Sequence, residues 1–169
     1  MKLHLDKSQR LFLLGSALLL AFLFLRPVYV PLERQIARDQ HWPEEQVNIF
    51  FQQELEEQQL LCFHLEGSDV LGYAVATTGK YPEIERVRTS LNKLVSRGGS
   101  IYLAYLLPFK GSTYLFLSLN ENLSEIRHTY GNTTVSYPVE DGIPAAIFIP
   151  LVNGHQTYAF FDKHGNELE

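Results

Sequence analysis

Apolar residues fall along this chain in blocks whose spacing changes from one block to the next. The longest uninterrupted block is LFLLGSALLLAFLFL, residues 11–25, uncharged and bracketed by Arg10 and Arg26. Lys2, Lys7 and Arg10 lead into it, which is a targeting feature. The residues after it, Leu25-Arg26-Pro27-Val28, are too large for a signal-peptidase site. The run falls short of the roughly 20 residues of a spanning helix. Snorkelling by Arg10 and Arg26, and the apolar Val28, Tyr29 and Val30, extend it. The pattern predicts an uncleaved transmembrane signal-anchor over 11–30. The short basic tail, 1–10, stays in the cytoplasm and the rest of the protein lies outside.

Residues 31–42 mix charges after Pro31 and read as a stalk. Trp42-Pro43-Glu44-Glu45 has the look of a helix start, with proline and acids in the first turn. Val47, Phe50, Phe51 and Leu55 then share a helical face, and the helix is expected to reach about Gln59. Leu60–Leu65 and Val70–Thr77 form a hairpin around Glu66-Gly67-Ser68-Asp69. In the second run Gly72, Ala74 and Ala76 share one face, opposite Leu71, Tyr73 and Val75. A small-residue face lets a helix pack close.

A second helix is expected from Tyr81-Pro82-Glu83 onward, with Ile84, Val87, Leu91, Leu94 and Val95 at helical spacing and Gly98-Gly99 as its stop. Ile101–Leu107 and Thr113–Leu119 make a second hairpin. A short helix follows, capped by Asn120 or Asn122, with Leu123, Ile126 and Tyr130 as its stripe. The last third is strand-like over Thr133–Val139, Ala145–Leu151 and His155–Phe161, and Asn153-Gly154 is the strongest two-residue hairpin signal. The order α-ββ-α-ββ-α-βββ predicts an α+β fold, an antiparallel sheet packed by helices on one face, occupying residues 43–169.

Charge sharpens the picture. Residues 1–31 carry four cations against Asp6, a net of +3, so the remainder carries −8 of the protein's total of −5. An acidic domain gains nothing from phosphate backbones, which excludes nucleic acid as a partner, and it stands off anionic headgroups. The single cysteine, Cys62, forms no internal disulfide, so the domain rests on its core, as in a bacterial envelope protein.

Candidate chemistry is sparse. Ser90-Leu91-Asn92-Lys93 matches S-x-x-K, but inside an expected helix and without the S-D-N and K-T-G elements that accompany it in penicillin-binding enzymes. Cys62 sits in Leu60-Leu61-Cys62-Phe63, a run suited to a buried strand rather than to a nucleophile. His155, Asp162 and His164 lie close in sequence and are the candidate metal ligands, although Asp162-Lys163-His164-Gly165 is also a turn signal and a metal needs three or four converging donors. No phosphate loop, zinc spacing or nucleophile elbow is present. Two features suggest a contact surface: acids on the expected first helix, Glu45 and Glu56 among them, suited to a basic partner, and aromatics such as Tyr102, Tyr114 and Tyr158 if they project from an uncovered sheet face.

The sequence therefore leads to a membrane-anchored extracytoplasmic binding domain, an accessory, sensor or assembly subunit of an envelope system, without a catalytic residue or cofactor. Its partners are the membrane and another membrane or envelope protein. The alternative is an envelope hydrolase or metal-binding protein using His128, His155 and His164 with nearby acids.

Overall fold

A computed structural model describes residues 14–16, 29–90, 102–107, 112–139 and 143–168. The protein divides into two units, residues 1–30 and 31–169. The second is mainly β. Among its described residues the one α-helix of several turns is α1 (Leu32–Gln40), and a 3-10 turn at Glu44–Gln46 precedes the first strand. Eleven strands follow among the described residues: β1 (Val47–Leu55), β2 (Gln58–Leu65), β3 (Leu71–Thr77), β4 (Ile84–Thr89), β5 (Tyr102–Leu107), β6 (Thr113–Ser118), β7 (Glu125–Tyr130), β8 (Thr133–Pro138), β9 (Ala145–Pro150), β10 (Gln156–Phe161) and β11 (Glu167–Leu168).

These strands form three antiparallel sheets instead of the single helix-covered sheet expected. Sheet A is the meander β1-β2-β3-β4, sheet B is β5-β6-β9, and sheet C is β11-β10-β7-β8. Alternation along the strands stacks the layers. In β3, Leu71, Tyr73 and Val75 pack with Leu107, Leu115 and Leu117 of sheet B. The other face offers Ala74 and Ala76 to Leu32, Ile36 and Ala37 of α1. In β6, Leu115 and Leu117 face sheet A while Phe116 faces Ile126 and Phe160 of sheet C. Helix, sheet A, sheet B and sheet C thus form four layers with three apolar seams.

The small-residue face of β3 carries a helix, as its composition suggests, but the helix comes from the expected stalk. LERQIARDQ places Leu32, Ile36 and Ala37 on one buried stripe, a short amphipathic pattern. Gln35 fixes the helix to the sheet edge. Its Nε2 donates to the Pro82 carbonyl at 2.8 Å and its Oε1 accepts from the Ile84 N–H at 3.0 Å. One glutamine amide thereby pairs with β4 much as a neighbouring strand does. Glu44 accepts from Arg34 at 2.7 Å and from Arg38 at 3.2 Å, tying the helix to the 3-10 turn.

Two of the three expected helices are strands for the same physical reason. In β1, Ile49 pairs with Phe63 and Phe51 with Cys62, so Phe50 is an extra residue in a β-bulge. Past the bulge the alternation changes face. Val47 and Ile49 point to α1, whereas Phe51 and Leu55 point to sheet B. In β4 a second bulge at Glu85 leaves Val75 opposite Arg86 and Ala76 opposite Ile84. Ile84 and Val87, three apart, thus reach the same side and pack under α1. A bulged strand imitates the i, i+3 spacing of a helix. The Leu91, Leu94 and Val95 part of that expected helix lies outside the described residues.

The third expected helix is β7. Ile126 is buried and Leu123 packs beside it, but β7 is paired on both sides, by β8 and β10. Two flanking ladders outweigh a weak helical stripe rich in β-formers. Asn153-Gly154 is no hairpin either. β9 belongs to sheet B and β10 to sheet C, so this pair carries the backbone between layers.

The membrane anchor is likewise corrected. Among the described residues no helix is long and apolar enough to cross a membrane. The single-pass topology and membrane localisation expected from residues 11–30 are therefore unsupported. Of residues 11–30, Leu14–Ser16, which are helical, and Tyr29 and Val30, which are not, belong to the described residues.

Gly72 shows how tightly sheet A is packed. A Cβ there would meet Cζ of the Phe63 ring at 2.6 Å and would also strike the Arg88 carbonyl oxygen. Phe63 itself packs edge-on to Trp42, with centroids 6.1 Å apart. Gly72→Ala is expected to lower the unfolding free energy by about 1–3 kcal/mol through overpacking, read by urea denaturation. An unchanged midpoint would show that the seam has slack.

Candidate functional site

A depression in the surface lies where the β1–β2 turn meets the ends of β3 and β4. It has a volume of about 500 Å³ and is lined by Leu55, Glu56, Glu57, Gln58, Thr77 and Glu85. Leu55 and Gln58 close a two-residue hairpin loop formed by Glu56 and Glu57. Glu56 adopts φ +48°, a left-handed conformation that disfavours any side chain. The turn is held from below. Thr78 N–H donates to the Glu57 carbonyl at 3.1 Å, and Gln59 Nε2 donates to the Thr77 carbonyl at 2.8 Å.

Glu85 enters this groove because it is the bulged residue of β4. An extra residue re-aims a side chain that regular pleating would place elsewhere. Gln58 Nε2 donates to Glu85 Oε2 at 2.6 Å, which links the two walls. Among the described residues, Glu56, Glu57 and Glu85 take part in no ion pair. The groove therefore presents three carboxylates around a half-buried leucine, with its negative charge open to a cation.

Glu45 and Glu56, expected on one helix, are separated by β1. Glu45 lies in the exposed 3-10 turn at one end of that strand and Glu56 in the loop at the other. A nine-residue strand sets the two about 30 Å apart. The acidic surface anticipated from the sequence is thus divided, and its Glu56 end lines the groove.

Two of the aromatic candidates, Tyr114 and Tyr158, turn inward. Tyr114 and Tyr158 are half-buried in the seam between sheets B and C, with ring centroids 6.0 Å apart. Tyr102 lies in β5 opposite Ser118. Tyr158 also stacks on His128, with centroids 4.7 Å apart and ring planes at 14°. His128 is fully buried. Gln156 Oε1 accepts from Tyr158 Oη–H at 3.0 Å and from His128 Nε2–H at 2.9 Å. With the proton assigned to Nε2, Nδ1 of His128 is the acceptor, and it is without a hydrogen-bond partner among the described residues. Stacked rings and one shared amide oxygen make this a structural network.

The histidines stay apart. His155 is exposed just before β10, and Asp162 and His164 follow that strand's far end. Six residues of strand span about 20 Å. Asp162 organises its own turn: Oδ1 accepts from the N–H groups of His164 and Asn166, both at 2.8 Å, and Oδ2 accepts from Asn166 Nδ2 at 2.9 Å. Asn166 first, and then these backbone donors, hold the Asp162 carboxyl below its ordinary range. Among the described residues no three His, Cys, Asp or Glu side chains are grouped to hold a metal. Glu140 and Asp141 lie outside them. Cys62 is buried in sheet A, and Ser90 is buried with its Oγ accepting from the Leu71 N–H at 3.1 Å.

Sequence patterning does not single out Glu85. Its signal is the misfit at Ile84–Val87, where the apolar spacing is three in a short β-compatible segment. No protein-family model, curated protein or solved structure matches this protein.

Tyr158 gives a test of the sheet B–sheet C seam. Burial first, and then the phenols of Tyr114 and Tyr137, push its hydroxyl up to about 12. The folded state holds a proton that the unfolded protein releases near pH 10. Stability from this group is therefore full below pH 10 and is lost as pH rises toward 12. Tyr158→Phe is expected to flatten the alkaline fall in stability, measured by denaturation at stepped pH. An identical slope in variant and parent would place Tyr158 in open solvent.

Proposed function

We propose that residues 31–169 form a non-catalytic binding domain whose groove, lined by Glu56, Glu57 and Glu85, takes a basic segment of a partner protein. The observation that carries this reading is the convergence around Leu55, in one concavity, of three carboxylates that have no ion-pair partner among the described residues. A lysine or arginine side chain fits such a lining chemically, laying its methylene stem on the leucine and its charge among the carboxylates. The acidic balance of the domain adds long-range attraction for a cationic partner. Glu56 in a left-handed turn and Glu85 at a bulge are both positions where the backbone departs from regular pairing, as backbones often do at binding sites. The scattering of His128, His155 and His164 gives a hydrolase no comparable constellation.

The test uses the full-length protein and a fluorescent lysine-rich peptide, followed by anisotropy. Three exposed ion-pair partners at about 0.5 kcal/mol each give a change of roughly tenfold. Glu56→Gln/Glu57→Gln/Glu85→Gln is expected to weaken binding by about that factor, and added salt is expected to weaken the parent more than the variant. The control Glu66→Gln/Glu121→Gln/Glu167→Gln removes the same charge elsewhere and is expected to bind like the parent. Equal affinity for the groove variant and the parent would overturn the reading.

A further inference from the structure

Asn153 is the only asparagine in the sequence followed by glycine. The other six, at 48, 92, 120, 122, 132 and 166, precede isoleucine, lysine, glutamate, leucine, threonine and glutamate. In a hairpin, an Asn-Gly pair is clamped by the ladder closing across it. Here no such ladder exists, because β9 and β10 belong to different sheets. Asn153, Gly154 and His155 are all exposed. Gly154 has φ +108°, and nothing lies within 4 Å of where its Cβ would stand. The backbone nitrogen of Gly154 is therefore sterically open on the side that a larger residue would cover.

From this geometry we infer that the sheet-crossing link at Asn153-Gly154 is a site of spontaneous deamidation in the folded protein. The Gly154 backbone nitrogen, giving up its proton to solvent base, attacks Cγ of Asn153. The new bond from nitrogen to Cγ closes a five-membered imide as the bond between Cγ and Nδ2 breaks, and the leaving nitrogen takes a proton from solvent and departs as ammonia. Water then adds to either imide carbonyl and reopens the ring. One opening leaves aspartate. The other leaves isoaspartate, with an extra methylene in the backbone. Both products place a new carboxylate beside His155, and the second also lengthens the link between sheets B and C. No reactant beyond water is consumed.

The experiment ages the full-length protein in mildly alkaline buffer, with a parallel sample in concentrated urea, and follows each asparagine by peptide mapping and mass spectrometry. Conversion is expected at Asn153 ahead of every other asparagine. Its rate in the folded protein is expected to lie within about threefold of the urea sample, as for an exposed loop without local protection. Asn153→Gln is expected to remove the signal. Gly154→Ala is expected to slow it by about tenfold or more, because a Cβ hinders the approach of the nitrogen. Conversion at Asn153 in urea but not in the folded protein would overturn the inference, as would another asparagine converting first.

Discussion

Strands β6 and β9 of sheet B are buried on both faces, and the rest of the domain depends on that. These two strands carry two apolar seams. Leu115, Leu117 and Phe148 face sheet A, while Phe116, Ile147 and Ile149 face sheet C. Stretches such as Leu115-Phe116-Leu117 and Ala145-Ala146-Ile147-Phe148-Ile149 are apolar at successive positions because both sides of the strand need cover. Removing either outer sheet would expose one full seam to water, so neither outer layer is an independent addition. The backbone reinforces this by passing back and forth. β6 and β9 lie in sheet B, and the β7–β8 hairpin between them lies in sheet C. The two layers share one continuous thread.

Most strands after Gln58 were legible from composition and turn chemistry. The β2–β3 and β5–β6 hairpins lie where apolar runs flank turn residues. The contrast between Gly72-Ala74-Ala76 and Leu71-Tyr73-Val75 correctly divided the faces of β3. What misled was periodicity disturbed by bulges. Phe50 in β1 and Glu85 in β4 each insert one residue, and each yields spacings that resemble a helical stripe. A bulge is fixed by the partner strand, which the local sequence does not contain. The expected stalk failed for a different reason. Arg34, Arg38 and Asp39 drew attention to charge in 31–42 and away from the buried stripe Leu32, Ile36 and Ala37, which supplies the helix that sheet A requires.

The groove was half legible. The acids of the β1–β2 turn stood out as a possible basic-partner surface, but on a helix that does not form. Glu45 therefore lies a full strand away from Glu56, and Glu85 arrives from β4 instead. The aromatic surface was readable as either core or contact face, and the seam between sheets B and C resolves Tyr114 and Tyr158 toward the core. His128 ended there too, stacked under Tyr158 rather than offered to a substrate. The site that remains is built by irregularities in otherwise regular pairing: a left-handed residue at a tight turn and a bulge opposite it.

The central claim is that sheet B is the shared middle layer, and native-state hydrogen exchange tests it most directly. Amides of β6 that donate within its ladders are expected to exchange only through global unfolding, with an opening free energy equal to that from denaturation. Amides of the outer strands β1 and β8 are expected to exchange through smaller openings. Amides of β6 exchanging as readily as those of β1 or β8 would contradict the four-layer account.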